Sequence, residues 1–134
     1  MSTVLVDSNV ILDLLVEKSP WREWSINALG RVAEHARLVV NVIIYAELSV
    51  GYESIESVDS LLPPIFEREP IPYEAAFLAG KVYLQYRRRG GVKSAPLPDF
   101  FIGAHAAIKG YQLLTRDTAR YRSYFPGLTL IAPE

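Results

Sequence analysis

Four acidic residues of this chain lie in surroundings that a carboxylate normally avoids. Asp7 ends the apolar run TVLVD, and Glu47 interrupts the apolar stretch VIIYAELSVGY. Asp99 opens the segment DFFIGAHAAI, and Asp117 closes YQLLTRD. A buried, isolated carboxylate costs several kcal/mol unless it finds a partner or loses its charge. These four side chains are therefore the candidates for chemistry.

The remaining acidic residues lie among polar neighbours, on outer helix faces or near the chain ends. We expect all of them to be solvated, because charged groups are rarely fully buried. They are Asp13, Glu17, Glu23, Glu34, Glu53, Glu56, Asp59, Glu67, Glu69, Glu74 and Glu134.

A convergence of the four unusual acids would require a cation. Two carboxylates ~5 Å apart repel by roughly 3 kcal/mol at an effective dielectric near 20. The chain has no cysteine, and His35 and His105 lack ligand-like spacing, so the site would be all oxygen. Oxygen ligands favour Mg²⁺ or Mn²⁺, as one or two ions. We expect His105 to be a core histidine with satisfied hydrogen bonds.

Each acid also has a purely structural interpretation. Asp7 and Asp99 suit helix N-caps, where aspartate is favoured, and Asp117 suits the cap of a short helix running into Tyr121. Glu47 has no arginine or lysine within one helical turn, so its structural alternative is a salt bridge with a residue distant in sequence.

The elements that carry these residues alternate between short apolar strands and helices. Four strands are predicted, at 3–7, 37–41, 111–115 and 128–132. Helices are predicted at 9–16, 20–36, 43–50, 54–62, 73–89 and 99–109, with Pro63-Pro64 and Gly90-Gly91 as stops. This order predicts an α/β fold, a three-layer α/β/α sandwich with a central parallel sheet of four to five strands. Ligands of such sheets bind beyond the carboxyl ends of the strands, where Asp7 and Asp117 are expected.

The bulk properties restrict the class of protein. The 134 residues predict a single domain spanning 1–134, and the net charge of −1 provides no overall field that would attract nucleic acid. We expect no signal peptide and no membrane span, since no apolar stretch approaches ~20 residues. The absence of cysteine fits a cytoplasmic location.

The segments VDSNVILDLL, YAEL, LPDFFIGAHA and LLTRD, in this order, resemble those of the PIN domain family, and in particular the VapC toxins. The resemblance runs from Val4 to Asp117 and departs from the family in a short, proline-containing stretch around 63–72. It implies that the four acids form the catalytic and metal-binding site, with Asp7 and Asp99 the strongest ligands. It further implies supporting roles for Asn9 and Thr115.

The same resemblance implies a metal-dependent endoribonuclease that hydrolyses RNA phosphodiester bonds as the toxin of a type II toxin–antitoxin pair. Its expected partners are RNA, a VapB-type antitoxin and a second copy of the chain in a homodimer. The helix carrying Trp21 and Trp24 is the expected antitoxin surface. A PIN-like module without catalysis, acting through protein or RNA binding, is the alternative.

A basic cluster could hold RNA backbone phosphates beside this site: Arg87, Arg88, Arg89 and Lys93. The alternative is that these cations complement the dipole at a helix C-terminus and face water. The aromatic residues Trp21, Trp24, Tyr83 and Tyr86 could stack on bases, although core or partner packing is the favoured interpretation.

Other enzyme classes fit less well. A haloacid-dehalogenase-type phosphatase needs a second aspartate two positions after the first, where this chain has Asn9, and a late strand lysine that is missing. Neither a Gly-x-Gly-x-x-Gly nor a Gly-x-Ser-x-Gly motif is present, which excludes typical dinucleotide-binding domains and serine hydrolases.

Overall fold

A parallel β-sheet forms the centre of the molecule. The computed structural model describes residues 2–90 and 97–133, and this part of the chain contains five strands. They are β1 (Ser2–Val6), β2 (Ala36–Val40), β3 (Phe66–Arg68), β4 (Gln112–Leu114) and β5 (Leu130–Ile131). All neighbouring strands pair in parallel, in the order β3-β2-β1-β4-β5.

Helices connect these strands. They are α1 (Ser8–Asp13), α2 (Arg22–Ala33), α3 (Val42–Ser49), α4 (Ile55–Ser60), α5 (Tyr73–Arg88), α6 (Leu97–Lys109) and α7 (Thr118–Tyr124). The chain adds β2 and β3 on one side of β1 and then returns to add β4 and β5 on the other. This reversal lies between β1 and β4, which is where parallel α/β sheets open a crevice for ligands.

Apolar side chains of the strands fill the core. Val4, Leu5 and Val6 of β1 are at most 1% exposed, and Leu113 and Leu114 of β4 are fully buried. Strands buried on both faces show continuous rather than alternating apolar runs. The apolar run TVLV of β1 and the pair LL of β4 therefore form inner strands of the sheet because they are buried on both faces.

The predicted α/β fold with a parallel sheet is confirmed, and the predicted elements match the observed ones with small shifts at their ends. One strand was missed. β3 spans only Phe66–Arg68 at the edge of the sheet, and Glu67 and Arg68 are both exposed. A three-residue edge strand with two charged residues has no apolar pattern to detect. No helix in the described residues is long and apolar enough to cross a membrane.

A buried polar network ties the start of α3 to the middle of α6. The Asn41 Oδ1 atom accepts from the backbone N–H groups of Ile43 and Ile44, so its Nδ2 group faces the Nδ1 atom of His105 at 3.0 Å. The Nε2 atom of His105 lies 2.7 Å from a carboxylate oxygen of Glu69. Because Asn41 donates to Nδ1, the proton of the neutral ring is on Nε2 and points to Glu69. The prediction of a satisfied core histidine is confirmed.

Glu69 is held by a second donor, the hydroxyl of Tyr111, at 2.7 Å. Burial alone would raise the pKa of Glu69, but the bonds from Tyr111 and His105 bring the pKa below its ordinary value. The surface prediction for Glu69 is therefore wrong in part, since its carboxylate accepts two hydrogen bonds from the interior.

Helices α6 and α7 meet at a glycine. A Cβ atom added to Gly103 would lie 2.4 Å from the ring of Phe125, which follows directly after α7. Real Cβ atoms do not approach so closely, and a buried aromatic ring has little freedom to move aside. Gly103 thus allows the close packing of α6 and α7, the two helices that flank the acidic residues described next.

Candidate active site

Asp7 lies at the carboxyl end of β1, at the point where the sheet order reverses. Its backbone N–H extends the pairing of β1 with β4 by donating to Leu114 (2.9 Å). The carboxylate is 4% exposed and accepts from the Ser8 backbone and the Thr115 hydroxyl, both at 2.8 Å, and from the Tyr121 hydroxyl at 3.1 Å. Asp7 is also the N-cap of α1, so the capping interpretation is correct, but capping does not explain the bonds from Thr115 and Tyr121.

Burial is the main reason why the pKa of Asp7 rises from 3.8 to about 6. Asp99 adds to this rise by charge repulsion, while the hydrogen bonds from Thr115, Tyr121 and Ser8 oppose it. A carboxylate that accepts three good hydrogen bonds would normally have a low pKa. The raised value shows that burial outweighs these three hydrogen bonds.

Asn9 and Thr115 both contact this carboxylate. The Nδ2 group of Asn9 lies 3.3 Å from the Thr115 hydroxyl and 3.4 Å from Asp7, and its Oδ1 accepts from the backbone of Arg116. The fully buried Thr115 also accepts from the backbone N–H of Asp117. The first turn of α1 and the end of β4 are thereby fixed to each other around Asp7.

Asp99 faces Asp7 across one hydroxyl group. It is the third residue of α6, so it lies inside the first turn rather than at the cap. Its Oδ1 atom lies 3.4 Å from the same Tyr121 hydroxyl that donates to Asp7. Burial raises the pKa of Asp99, and Asp117 adds to the rise, although Arg120 opposes it.

Glu47 reaches the same region from α3. The Ser8 hydroxyl donates to its Oε1 atom at 2.9 Å, and the side chain is half-buried. Burial raises the pKa of Glu47 despite that hydrogen bond, and repulsion from Asp7 and Asp99 contributes. Within the described ranges no ion pair involves Glu47, so the salt-bridge alternative finds no support there.

Asp117 occupies the N-cap position of α7 but makes no capping hydrogen bond with its side chain. Its Oδ2 atom instead lies 3.4 Å from the Nε atom of Arg120, whose Nη1 atom donates to Asp99 at 2.7 Å. One guanidinium group thus spans two of the four acids. The hydrogen bond to Asp99 is the main reason why the pKa of Arg120 is raised.

The donor set suits a hard divalent cation. The groups are all carboxylates. Burial raises the pKa of Asp7, Glu47 and Asp99, and in each case repulsion from at least one other acid of the four adds to the rise. In the described part of the chain, no three acidic or histidine side chains are already arranged as a metal cage. The residues that a divalent cation would draw together are Asp7, Glu47, Asp99 and Asp117. They fit Mg²⁺ or Mn²⁺ better than softer metals.

Three residues of this region were not identified from the sequence: Ser8, Arg120 and Tyr121. Burial, with help from Asp7 and Asp99, raises the pKa of Tyr121 so far that its hydroxyl stays protonated. Its single proton serves the shorter contact, to Asp7 at 3.1 Å, while Asp99 lies 3.4 Å from the same oxygen. Nothing in the local sequence reveals a bridging hydroxyl. The spacing of Arg120, three residues after Asp117, was a detectable signal for a helical ion pair.

Asp13 corrects a prediction. It was expected on the surface, yet it is 4% exposed and lies on the buried face of α1. Its Oδ2 atom accepts from the Ser25 hydroxyl at 2.7 Å and from the Nε atom of Arg116 at 2.6 Å, and its Oδ1 accepts from Ser19 at 3.2 Å. Asp13 is a structural acid whose partners come from distant parts of the chain.

The arginines of the basic cluster lie at the end of α5. Arg87, Arg88 and Arg89 are exposed, and Lys93 lies outside the described residues. Arg87 donates to the Tyr83 hydroxyl at 3.3 Å, with its guanidinium 5.9 Å from the centre of that ring. Tyr83 and Tyr86 pack against Phe100 with ring centroids 5.5 and 5.6 Å apart, in agreement with core packing.

The family model of the PIN domain matches residues 4–125 of this chain. The chain belongs to the PIN domain family. PIN domains are generally nucleases, and they typically use divalent metals. No curated protein matches this PIN domain significantly.

Solved structures of similar fold include several toxin–antitoxin complexes. VapBC2 from Rickettsia felis, bound to a promoter DNA fragment, has a TM-score of 0.74 at 18% identity, covering 97% of this chain and 98% of that one. A toxin–antitoxin complex from Klebsiella pneumoniae gives 0.70 at 24% identity, with 98% of each chain covered. VapC20 from Mycobacterium tuberculosis, a toxin that cleaves the sarcin–ricin loop, gives 0.65 at 12% identity, with 98% of this chain and 100% of that one covered. At these identities the likeness shows a shared fold.

Proposed function

We propose that this PIN domain is a metal-dependent endoribonuclease, the toxin of a cytoplasmic type II toxin–antitoxin pair. The observation that carries the proposal is the set of carboxylates beyond the strand ends, above all the buried Asp7 with its pKa of about 6. Burial of a carboxylate lowers the stability of a protein, and perturbed pKa values of this kind are concentrated at functional sites. A divalent cation would remove the repulsion and also let an acidic pocket accept a polyanionic strand.

In this proposal Asp7 and Asp99 are the main holders of Mg²⁺ or Mn²⁺, while Glu47 and Asp117 complete the shell or orient the attacking water. When bound, one or two ions would supply the means to deprotonate water and to stabilise the leaving oxygen. Tyr121 lies between the two principal acids, with its hydroxyl oxygen 3.1 Å from Asp7 and 3.4 Å from Asp99.

The decisive experiment is cleavage of total RNA by the purified chain, with Mg²⁺, with Mn²⁺ and with EDTA. We expect cleavage in either metal and none in EDTA. Asp7→Asn and Asp99→Asn should each abolish cleavage, whereas the exposed Glu53→Gln, which removes the same charge elsewhere, should not. Full activity of Asp7→Asn, or metal-independent cleavage, would refute the proposal, and an inactive wild type would favour a binding module.

An antitoxin is the proposed protein partner, and an exposed apolar cleft of about 510 Å³ beside α2 supports it. Ile26 of α2 and Ile65 before β3 line this cleft and are 41% and 54% exposed. Trp21, which precedes α2, is 38% exposed. We expect Ile26→Asp to weaken capture of the antitoxin encoded beside this chain without changing RNA cleavage by the free toxin. Unchanged capture would exclude this surface.

Homodimerisation is proposed on α5. Tyr73, Phe77 and Leu84 are 91%, 67% and 41% exposed, and their spacing places them along one side of the helix. An apolar stripe of this kind is typical of a protein interface. Sedimentation equilibrium should give a dimer for the wild type and a monomer for Phe77→Asp, and a monomeric wild type would contradict this part.

A further inference from the structure

A cleft of about 280 Å³ with a mixed polar and apolar lining opens between the end of α5 and the end of α7. Its lining combines flat aromatic side chains with hydrogen-bonding groups, namely Gln85, Tyr86, Arg89, Ser123 and Tyr124. None of the described residues that line it is acidic. Within residues 2–90 and 97–133, no hydrogen bond is formed by the side chains of Gln85, Arg89 and Ser123. Their polar groups are therefore available to a ligand.

Helix α7 runs from the acidic site to the cleft. Asp117 precedes this helix, Arg120 lies in its first turn, and Tyr124 is its last residue. Positions 120 and 124 share one side of a helix and are about 6 Å apart along its axis. The ring of Tyr124 also stacks on Phe100, with 4.3 Å between centroids, and Phe100 directly follows Asp99.

One turn of α7 thus separates Arg120, which donates to Asp99, from Tyr124 in the cleft. A strand whose phosphodiester lies at Asp7 and Asp99 would therefore carry a nearby base towards the cleft.

The chemistry of the lining matches a nucleobase. Aromatic side chains contact bases of any sequence. Although Tyr86 and Tyr124 pack on each other, with centroids 5.4 Å apart, both also line the cleft, where a base would meet them. Arginine pairs with the O6 and N7 acceptors of guanine, and glutamine pairs with N6 and N7 of adenine. Both pairings use the N7 atom, which only purines have.

We infer that this cleft binds a purine base of the RNA substrate close to the cleaved bond, and that Arg89 and Gln85 determine the preference. The inference rests on the proposed nuclease function and adds base selection to it. It also separates Arg89 from the other arginines of the cluster. Arg87 is engaged by Tyr83, and Arg88 does not line the cleft.

The test is sequencing of the cleavage sites in a randomised RNA pool with Mg²⁺. We expect the wild type to enrich a purine at one fixed position next to the cut. Arg89→Ala and Gln85→Ala should reduce that enrichment by roughly 5- to 160-fold, the range expected for loss of a bidentate base contact. Arg88→Ala removes an equal charge one residue away and should retain the enrichment. A wild type without base preference, or an unchanged preference in Arg89→Ala, would overturn the inference.

A second measurement separates this inference from the nuclease proposal. Titration of the wild type with GMP and with CMP in EDTA, followed by NMR, needs no catalysis. Shifts at Ser123 and Tyr124 with GMP, weaker in Arg89→Ala, would support the cleft even if the wild type cleaves nothing. No nucleotide binding would overturn it. Loss of antitoxin binding in Arg89→Ala with an unchanged purine preference would mean that the cleft takes a peptide, which also overturns it.

Discussion

Replacement of Asp7 by asparagine should change how the stability of the metal-free protein depends on pH. The pKa of Asp7 in the folded chain is about 6, against 3.8 for an ordinary aspartate, chiefly because of burial. Below pH 3.8 the carboxyl is protonated in both states. As the pH rises from 3.8 towards 6, the carboxyl ionises in the unfolded chain before it ionises in the folded protein. The folded state therefore progressively loses the stability that came from the neutral, buried carboxyl.

The size of this effect follows from the shift. A pKa raised from 3.8 to about 6 corresponds to about 3 kcal/mol of lost stability above pH 7, of which about 2 kcal/mol disappears between pH 4 and pH 7. Asparagine has nearly the same shape, and its amide does not ionise. It has one acceptor oxygen, however, so it cannot accept from both Ser8 and Thr115, and this loss costs about 1–3 kcal/mol at every pH.

The assay is urea unfolding of wild type and Asp7→Asn in EDTA at several pH values from 4 to 7, followed by tryptophan fluorescence. The variant should be the less stable protein at pH 4 and should gain about 2 kcal/mol relative to the wild type by pH 7. The constant hydrogen-bond penalty cancels in this comparison. Glu53→Gln controls for the loss of one negative charge. A difference in unfolding free energy that stays flat over this range would refute the reasoning.

Three further predictions concern the metal, a corrected residue and a glycine. Because a proton competes for Asp7 below about pH 6, calorimetry should find Mn²⁺ binding about tenfold weaker at pH 5 than at pH 7, and equal affinities would contradict this. Asp13→Asn should lower the free energy of unfolding by about 1–3 kcal/mol by weakening a buried polar cluster, while the exposed Glu17→Gln should leave it unchanged within error in the same urea assay. Gly103→Ala should lower the free energy of unfolding by about 1–3 kcal/mol, because the new methyl group would collide with the ring of Phe125. Helix propensity alone would raise the melting temperature, so a higher melting temperature would show that the ring moves aside.

The elements that the sequence predicted correctly and the four candidate acids share one property: each has a signal in its own local stretch of sequence. The apolar run before Asp7 predicts a central strand because such strands are buried on both faces. Likewise, Glu47 and Asp99 stand out as single charges within apolar segments. The rule that parallel strands place their ligands at one edge then brings these residues to the same region.

The errors concern residues whose environment depends on distant partners. Asp13 resembles a surface acid because its partners Ser25 and Arg116 are 12 and 103 residues away. Arg120 was overlooked because its main partner, Asp99, lies on another helix, 21 residues earlier. Side-chain contacts between elements depend on the packed fold and cannot be deduced from hydrophobic periodicity.

The fixed tautomer of His105 has a consequence for how the acids move. The hydrogen bonds of Asn41 to α3 orient its amide, and that amide in turn orients the ring on α6. The helix bearing Glu47 and the helix bearing Asp99 are therefore joined near one end by a chain of directional bonds. A shift of either helix would break a buried hydrogen bond, so the two carboxylates are expected to change position together when a cation arrives.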